Sequence, residues 1–90
     1  MDTDEAKIIL QRHLNNWKQL SYAELADQVK NKKIEVIEVS GPSGNKYCLE
    51  FQARWDSEPG GAIRGFACID DGGMAALVPL SADFIVYPEI

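Results

Sequence analysis

The sequence predicts an α+β domain in which two N-terminal helices pack on one face of a four- to five-stranded antiparallel β-meander. Two observations predict it. Apolar residues recur in steps of three and four up to about residue 33 and alternate afterwards. The second half is also cut by three turn-forming clusters, at 41–45, 56–61 and 70–73, whose close spacing implies hairpins. A chain of 90 residues, 46% of them apolar, fills one modest core and is expected to form a single domain over 1–90.

The first helix is expected to start at Asp2 and Thr3, with Asp4 and Glu5 in the first turn, where carboxylates face the positive end of the helix dipole. Ala6, Ile9, Leu10, Leu14, Trp17 and Leu20 share one face, with His13 on the same stripe, and Gln11, Arg12, Asn15, Lys18 and Gln19 fill the other. Ser21-Tyr22-Ala23-Glu24 is the spacing of a capping box, flanked by Leu20 and Leu25 as a hydrophobic staple, so a second helix begins at Tyr22. It buries Tyr22, Leu25, Ala26 and Val29 and ends near Asn31. Lys30, Lys32 and Lys33 then read as solvated charges at its negative end, since no aromatic or glycine-rich loop accompanies them.

Strands are expected at about 34–40, 46–55, 62–70 and 74–79, with 81–87 as a fifth strand or a covering segment. In the second strand Tyr47, Leu49, Phe51, Ala53 and Trp55 point to the helices, and Lys46, Cys48, Glu50, Gln52 and Arg54 point away. Pairing the second and third strands symmetrically about Glu58 sets Leu49 opposite Ala67, Phe51 opposite Gly65 and Ala53 opposite Ile63. A tight Asp71-Gly72 turn sets Met74 beside Ile69 and Ala76 beside Ala67. On the outer face these registers bring Glu50 to Phe66, Cys48 to Cys68, Arg64 near Gln52, and Leu77 to Phe66. Phe66, Leu77, Ala75, Val36 and the two cysteines then form an apolar stripe, with Glu50 and Arg64 at its rim, on a face that one helical layer cannot also cover.

Several function classes fall away. Nine Lys and Arg against 14 Asp and Glu, a net charge of -5, is the wrong sign for neutralising phosphates, so no nucleic-acid partner is expected. The acidity sits in the strands, because residues 1–33 hold six basic and five acidic side chains and residues 34–90 hold three and nine. No signal peptide, membrane span or CxxC pattern is present, so no membrane partner is expected and a reducing cytoplasmic setting is. His13, the single histidine, reads as a packing residue. Asp70-Asp71-Gly72-Gly73 lacks the later ligands of a calcium loop and reads as a turn, and Glu35, Glu38 and Glu50 read as solvated acids. Directly opposed Cys48 and Cys68 would sit wider apart than a disulfide prefers, so both are expected reduced. No catalytic, cofactor or metal site is expected.

The stretch 47–56, with Ile69-Asp70-Asp71-Gly72-Gly73 and Pro79-Leu80-Ser81-Ala82-Asp83-Phe84-Ile85, resembles small bacterial proteins of helix-plus-meander design. That resemblance covers roughly 34–87. It implies the fold and no activity, since such families have no agreed function. The expected role is a protein-contact module, working with a second copy as a homodimer or with another protein as an acidic antagonist or adaptor. The alternative is a ligand or enzymatic pocket between helices and sheet.

The capping box yields a local test. Ser21→Ala should cost about 0.5–2 kcal/mol, and an unshifted urea midpoint would remove the second helix start.

Overall fold

A computed structural model describes residues 2–72 and 80–88. Helix α1 spans Thr3–Trp17 and α2 spans Tyr22–Lys30. Strands β1 (Ile34–Ser40), β2 (Lys46–Trp55), β3 (Ile63–Asp70) and β4 (Leu80–Val86) form one antiparallel sheet in the order β1-β2-β3-β4. Both helices pack on one face of this meander.

The helix starts follow from their caps. The Asp2 carboxylate accepts the Glu5 N–H at 3.1 Å, and the Ser21 hydroxyl accepts the Glu24 N–H at 3.1 Å, which is the forward half of the capping box. Helix α1 ends at Trp17, before Leu20, which lies half-buried in the connection while Leu25 is fully buried. The core consists of Ala6, Ile9, Leu10, Leu14 and Trp17 from α1, Leu25 and Ala26 from α2, and the inward residues of β2 and β3.

Aromatic stacking joins the two layers. The Trp17 indole stacks on Phe51 with ring centroids 4.5 Å apart and planes at 12°, and Phe51 lies parallel to Phe84 of β4 at 6.0 Å. Gly65 makes room for that stack, since a Cβ there would lie 2.6 Å from Phe84 and 3.0 Å from Phe51. Overpacking of this kind typically costs about 1–3 kcal/mol.

The β2–β3 register differs from the sequence expectation by two residues. Phe51 faces Ala67, Ala53 faces Gly65 and Trp55 faces Ile63, so pairs centre on Pro59 and not on Glu58. The cause is the turn: Gly61 N–H bonds to the Glu58 carbonyl at 3.1 Å, and Gly60, after Pro59, has φ +83°. Proline second and a positive-φ glycine third is the composition of a type II turn. A slip of two leaves every side chain on its expected face.

The second correction concerns the far end of β3. Its other neighbour is 80–86, with Ile69 opposite Leu80 and Ala67 opposite Ala82 where Met74 and Ala76 were expected; those two residues lie outside the described ones. The expected strand at 74–79 lies outside the described residues. What was expected as a fifth strand or cover is β4 itself, and Asp70 Oδ1 accepts the Gly72 N–H at 2.9 Å where the longer connection begins.

Glu5 fastens α1 to the β1–β2 hairpin. Its carboxylate accepts from the Tyr47 hydroxyl at 2.7 Å, the Ser43 hydroxyl at 2.7 Å and the Ser43 N–H at 3.1 Å. These bonds, the Tyr47 one foremost, hold the carboxyl below its ordinary value of 4.5. A depressed folded pKa contributes stability that is present above the unfolded value and is lost as pH falls through the folded one. Glu5→Gln should therefore be less stable than the wild type at neutral pH, and the gap should close as pH falls from 4.5 through the depressed folded value. Urea midpoints measured across that range check this, and a pH-independent gap would show the clamp to be uncharged.

Candidate functional site

Helices cover the inner face, which leaves the outer one as the exposed face of the sheet. Period-two alternation places there Ile34, Val36 and Glu38 from β1, Cys48, Glu50, Gln52 and Arg54 from β2, and Arg64, Phe66, Cys68 and Asp70 from β3, with Ser81 and Asp83 from β4. Two rows form the middle of this face. One runs Ile34, Gln52, Phe66, Asp83, and the other runs Val36, Glu50, Cys68, Ser81.

Three large apolar side chains stand exposed in those rows: Ile34 at 56%, Val36 at 58% and Phe66 at 44%. Between Ile34 and Phe66 lies a depression of about 380 Å³, lined also by Glu50, Gln52, Cys68 and Asp83 among others. Five of the seven residues expected on this surface, Val36, Glu50, Arg64, Phe66 and Cys68, share the face. Ala75 and Leu77 lie outside the described residues, so the contact expected between Leu77 and Phe66 does too.

The neighbours are not those the expected register gave. Glu50 stands between Val36 and Cys68 and not beside Phe66; Phe66 has Gln52 next to it; Arg64 lies opposite Arg54 and not Gln52. The two guanidinium groups are kept apart by other partners. Arg64 donates through Nε to Asp56 at 2.8 Å and through Nη1 to Asp83, and Arg54 donates to the Gln52 carbonyl at 3.1 Å. Arg64 is thus a tie between the start of the β2–β3 turn and β4. Ile34 was missing from the expected surface, although its place two residues before Val36 was the signal that could have found it.

The cysteines are not opposed. Cys48 faces Asp70 and Cys68 faces Glu50, which makes the thiols diagonal neighbours. Diagonal positions are about 7–8 Å apart, beyond the roughly 3.5–4.5 Å between Cβ atoms in a disulfide, and both thiols are free. Each has its pKa raised. Burial acts first in both, reinforced by Asp70, Glu50 and Glu38 around Cys48 and by Glu50 and Asp70 around Cys68. Protonated thiols are poor nucleophiles and poor metal ligands.

His13 lies on the helical side, with its ring 5.9 Å from that of Trp17, so the sheet separates it from the cysteines. Glu35 belongs to the inner face and accepts the Trp17 indole N–H at 3.0 Å, a bonded role in place of the expected solvated one. Among the described residues no group of three or more His, Cys, Asp or Glu is arranged to hold a metal ion, and no helix is long and apolar enough to cross a membrane. No protein-family model, curated protein or solved structure matches the chain.

Both thiols should titrate above the ordinary value near 8.5. Alkylation by iodoacetamide, followed by mass spectrometry against pH, should show Cys68 moving down in Glu50→Gln, because a neighbouring negative charge is removed. A titration midpoint below that of a free thiol would overturn the assignment.

Proposed function

We propose that this chain is a non-catalytic protein-contact module that associates with a second copy of itself through the outer-face stripe, in a reducing cytoplasmic setting. The observation that carries the reading is the cluster of Ile34, Val36 and Phe66, each more than two-fifths exposed on one sheet face. An antiparallel sheet normally shows polar residues to water on its open side. Ile34 and Val36 on one side of Gln52 and Glu50, and Phe66 and Cys68 on the other, with Glu38, Asp70, Asp83 and Arg54 around them, have the mixed apolar and polar composition of a contact patch. Its acids also suit a basic partner, which is the adaptor form of the same reading.

The alternative, a ligand or enzymatic pocket between helices and sheet, is disfavoured by how that space is filled. Leu25, Leu49, Ile63 and Ile69 are wholly buried there, and Phe51 occupies the middle of the aromatic stack. The depression of about 380 Å³ opens on the other face, and another of about 450 Å³ lies at the hairpin end of the sheet, lined by Glu38, Ser40, Lys46 and Cys48 among others.

Val36→Glu tests the reading. A carboxylate desolvated at the stripe without a partner should weaken association by at least about 2 kcal/mol, roughly 30-fold, with the urea midpoint of the monomer little changed because Val36 is exposed. Sedimentation over a concentration series reads the association constant. If the wild type is monomeric throughout, or Val36→Glu associates as tightly, the stripe does not mediate self-association.

A further inference from the structure

Strand β1 is the edge of the sheet where the stripe is most exposed, and among the described residues it has one neighbour, β2. Its open side carries a defined set of backbone groups. Gly41 N–H bonds to the Asn45 carbonyl at 2.8 Å, and the register runs without a break from there to Ile34 opposite Gln52. Hydrogen-bonded pairs alternate along an antiparallel ladder, so odd-numbered residues of β1 turn their N–H and C=O to β2. Ile34, Val36, Glu38 and Ser40 therefore turn theirs outward. Two of these four are the most exposed apolar side chains of the outer face. An edge of this kind is a template for another strand.

The charges choose the occupant. Lys32 and Lys33 precede the strand, and Glu35 and Glu38 lie within it. A parallel copy would set lysine on lysine and glutamate on glutamate. An antiparallel copy carries the basic end of each strand toward the acidic body of the other. Only some registers keep like charges from meeting. Pairing about Glu35 or about Glu38 sets a carboxylate directly against its own copy, which is destabilising. Pairing about Ile37 carries the lysines past Glu38 to the hairpin loop and makes the two Glu38 residues diagonal neighbours on the outer face. Pairing about Val36 sets Val36 against Val36 and Ile34 against Glu38, while Lys32, in the turn before the strand with φ +53°, holds no place in the ladder. The two Glu35 residues are then diagonal neighbours on the inner face, each bonded to its own Trp17.

We infer that the second copy docks edge to edge, β1 antiparallel to β1 about a two-fold axis at Val36, extending the four-stranded sheet into a continuous one across both chains. The inference rests on the self-association reading and narrows its contact to the Ile34 and Val36 part of the stripe, leaving Phe66 outside the interface. Three pairs, Val36 with Val36 and Ile34 with Glu38 twice, supply about six backbone hydrogen bonds, and the Ile34 and Val36 side chains of both copies form one apolar strip.

Val36→Pro isolates the edge, because the lost N–H is one that faces outward and proline is tolerated on edge strands at such positions. It should weaken self-association at least tenfold while the circular dichroism spectrum stays native. Phe66→Glu, two strands away, should leave self-association unchanged. Register is read by cross-linking in a Cys48→Ser, Cys68→Ser background. With a short bifunctional thiol reagent that bridges directly opposed positions, about 4.5–5.5 Å apart between Cβ atoms, Val36→Cys should cross-link to a dimer, Ile34→Cys alone should not, and Ile34→Cys mixed with Glu38→Cys should. If Val36→Cys does not cross-link while Phe66→Cys does, and Phe66→Glu dissociates the dimer, the faces stack: self-association through the stripe then stands and the edge geometry is overturned. Equal cross-linking of Ile34→Cys and Val36→Cys also overturns it. A wild type that is monomeric at all concentrations overturns both.

Discussion

The stack of Trp17, Phe51 and Phe84 is the interaction on which the rest of this molecule depends. It runs from the last turn of α1 through the middle of β2 to β4, so one set of rings fixes the helical layer to the sheet and fixes β4 at its far side. The stack is possible because Gly65 leaves space where any side chain would meet Phe84. Large rings over a glycine strand position let the layers approach closely, and dispersion between well-packed atoms accumulates over that contact. With the inner face committed to the stack, the even-numbered residues of β1 and β2 have no choice but the outer face. The exposed stripe is a by-product of how the core is made.

Polar contacts then pin the corners around this centre. Glu5 ties the first turn of α1 to the β1–β2 hairpin, the Tyr22 hydroxyl donates to the Gly61 carbonyl at 2.7 Å to tie α2 to the β2–β3 turn, and Arg64 ties that turn to β4 through Asp56 and Asp83. Most of these contacts are long in sequence, and each involves a hairpin turn or a residue near a strand end. The polar contact on the inner face itself, the Trp17 indole N–H to Glu35, is a satisfied one, since unpaired polar groups there would be costly. The buried core contains no charged or polar residue among those described.

The two-residue register shift bears on chemistry more than on stability. A shift by an even number preserves the faces, so the core composition would be the same under either register. What changes is which outer residues are neighbours. Cys48 gains Asp70 in place of Cys68, and Cys68 gains Glu50. Carboxylates beside a partly buried thiol keep it protonated, so the register turns an apparent cysteine pair into two quiet side chains. What remains on that face is Ile34, Val36 and Phe66 exposed among polar side chains, the surface on which the proposed self-association rests.

The sequence by itself determined the elements and the faces. Helix starts at Asp2 and Ser21, the change of period near residue 33 and the inward set Tyr47, Leu49, Phe51, Ala53 are local facts, set by capping hydrogen bonds and by the 3.6- and 2.0-residue periods of the backbone. The type II turn was also written there, in Pro59-Gly60, and it fixes the β2–β3 register. Only the tertiary structure decided that 80–86 is the strand beside β3, that Glu35 bonds to Trp17 and that Arg64 is shared between two aspartates. These depend on which strand takes the free edge of β3 and on side chains many residues apart meeting across the sheet. Alternation along a strand says which way a side chain points. Which other strand it meets is settled by packing over the whole core, and a local pattern carries no record of that.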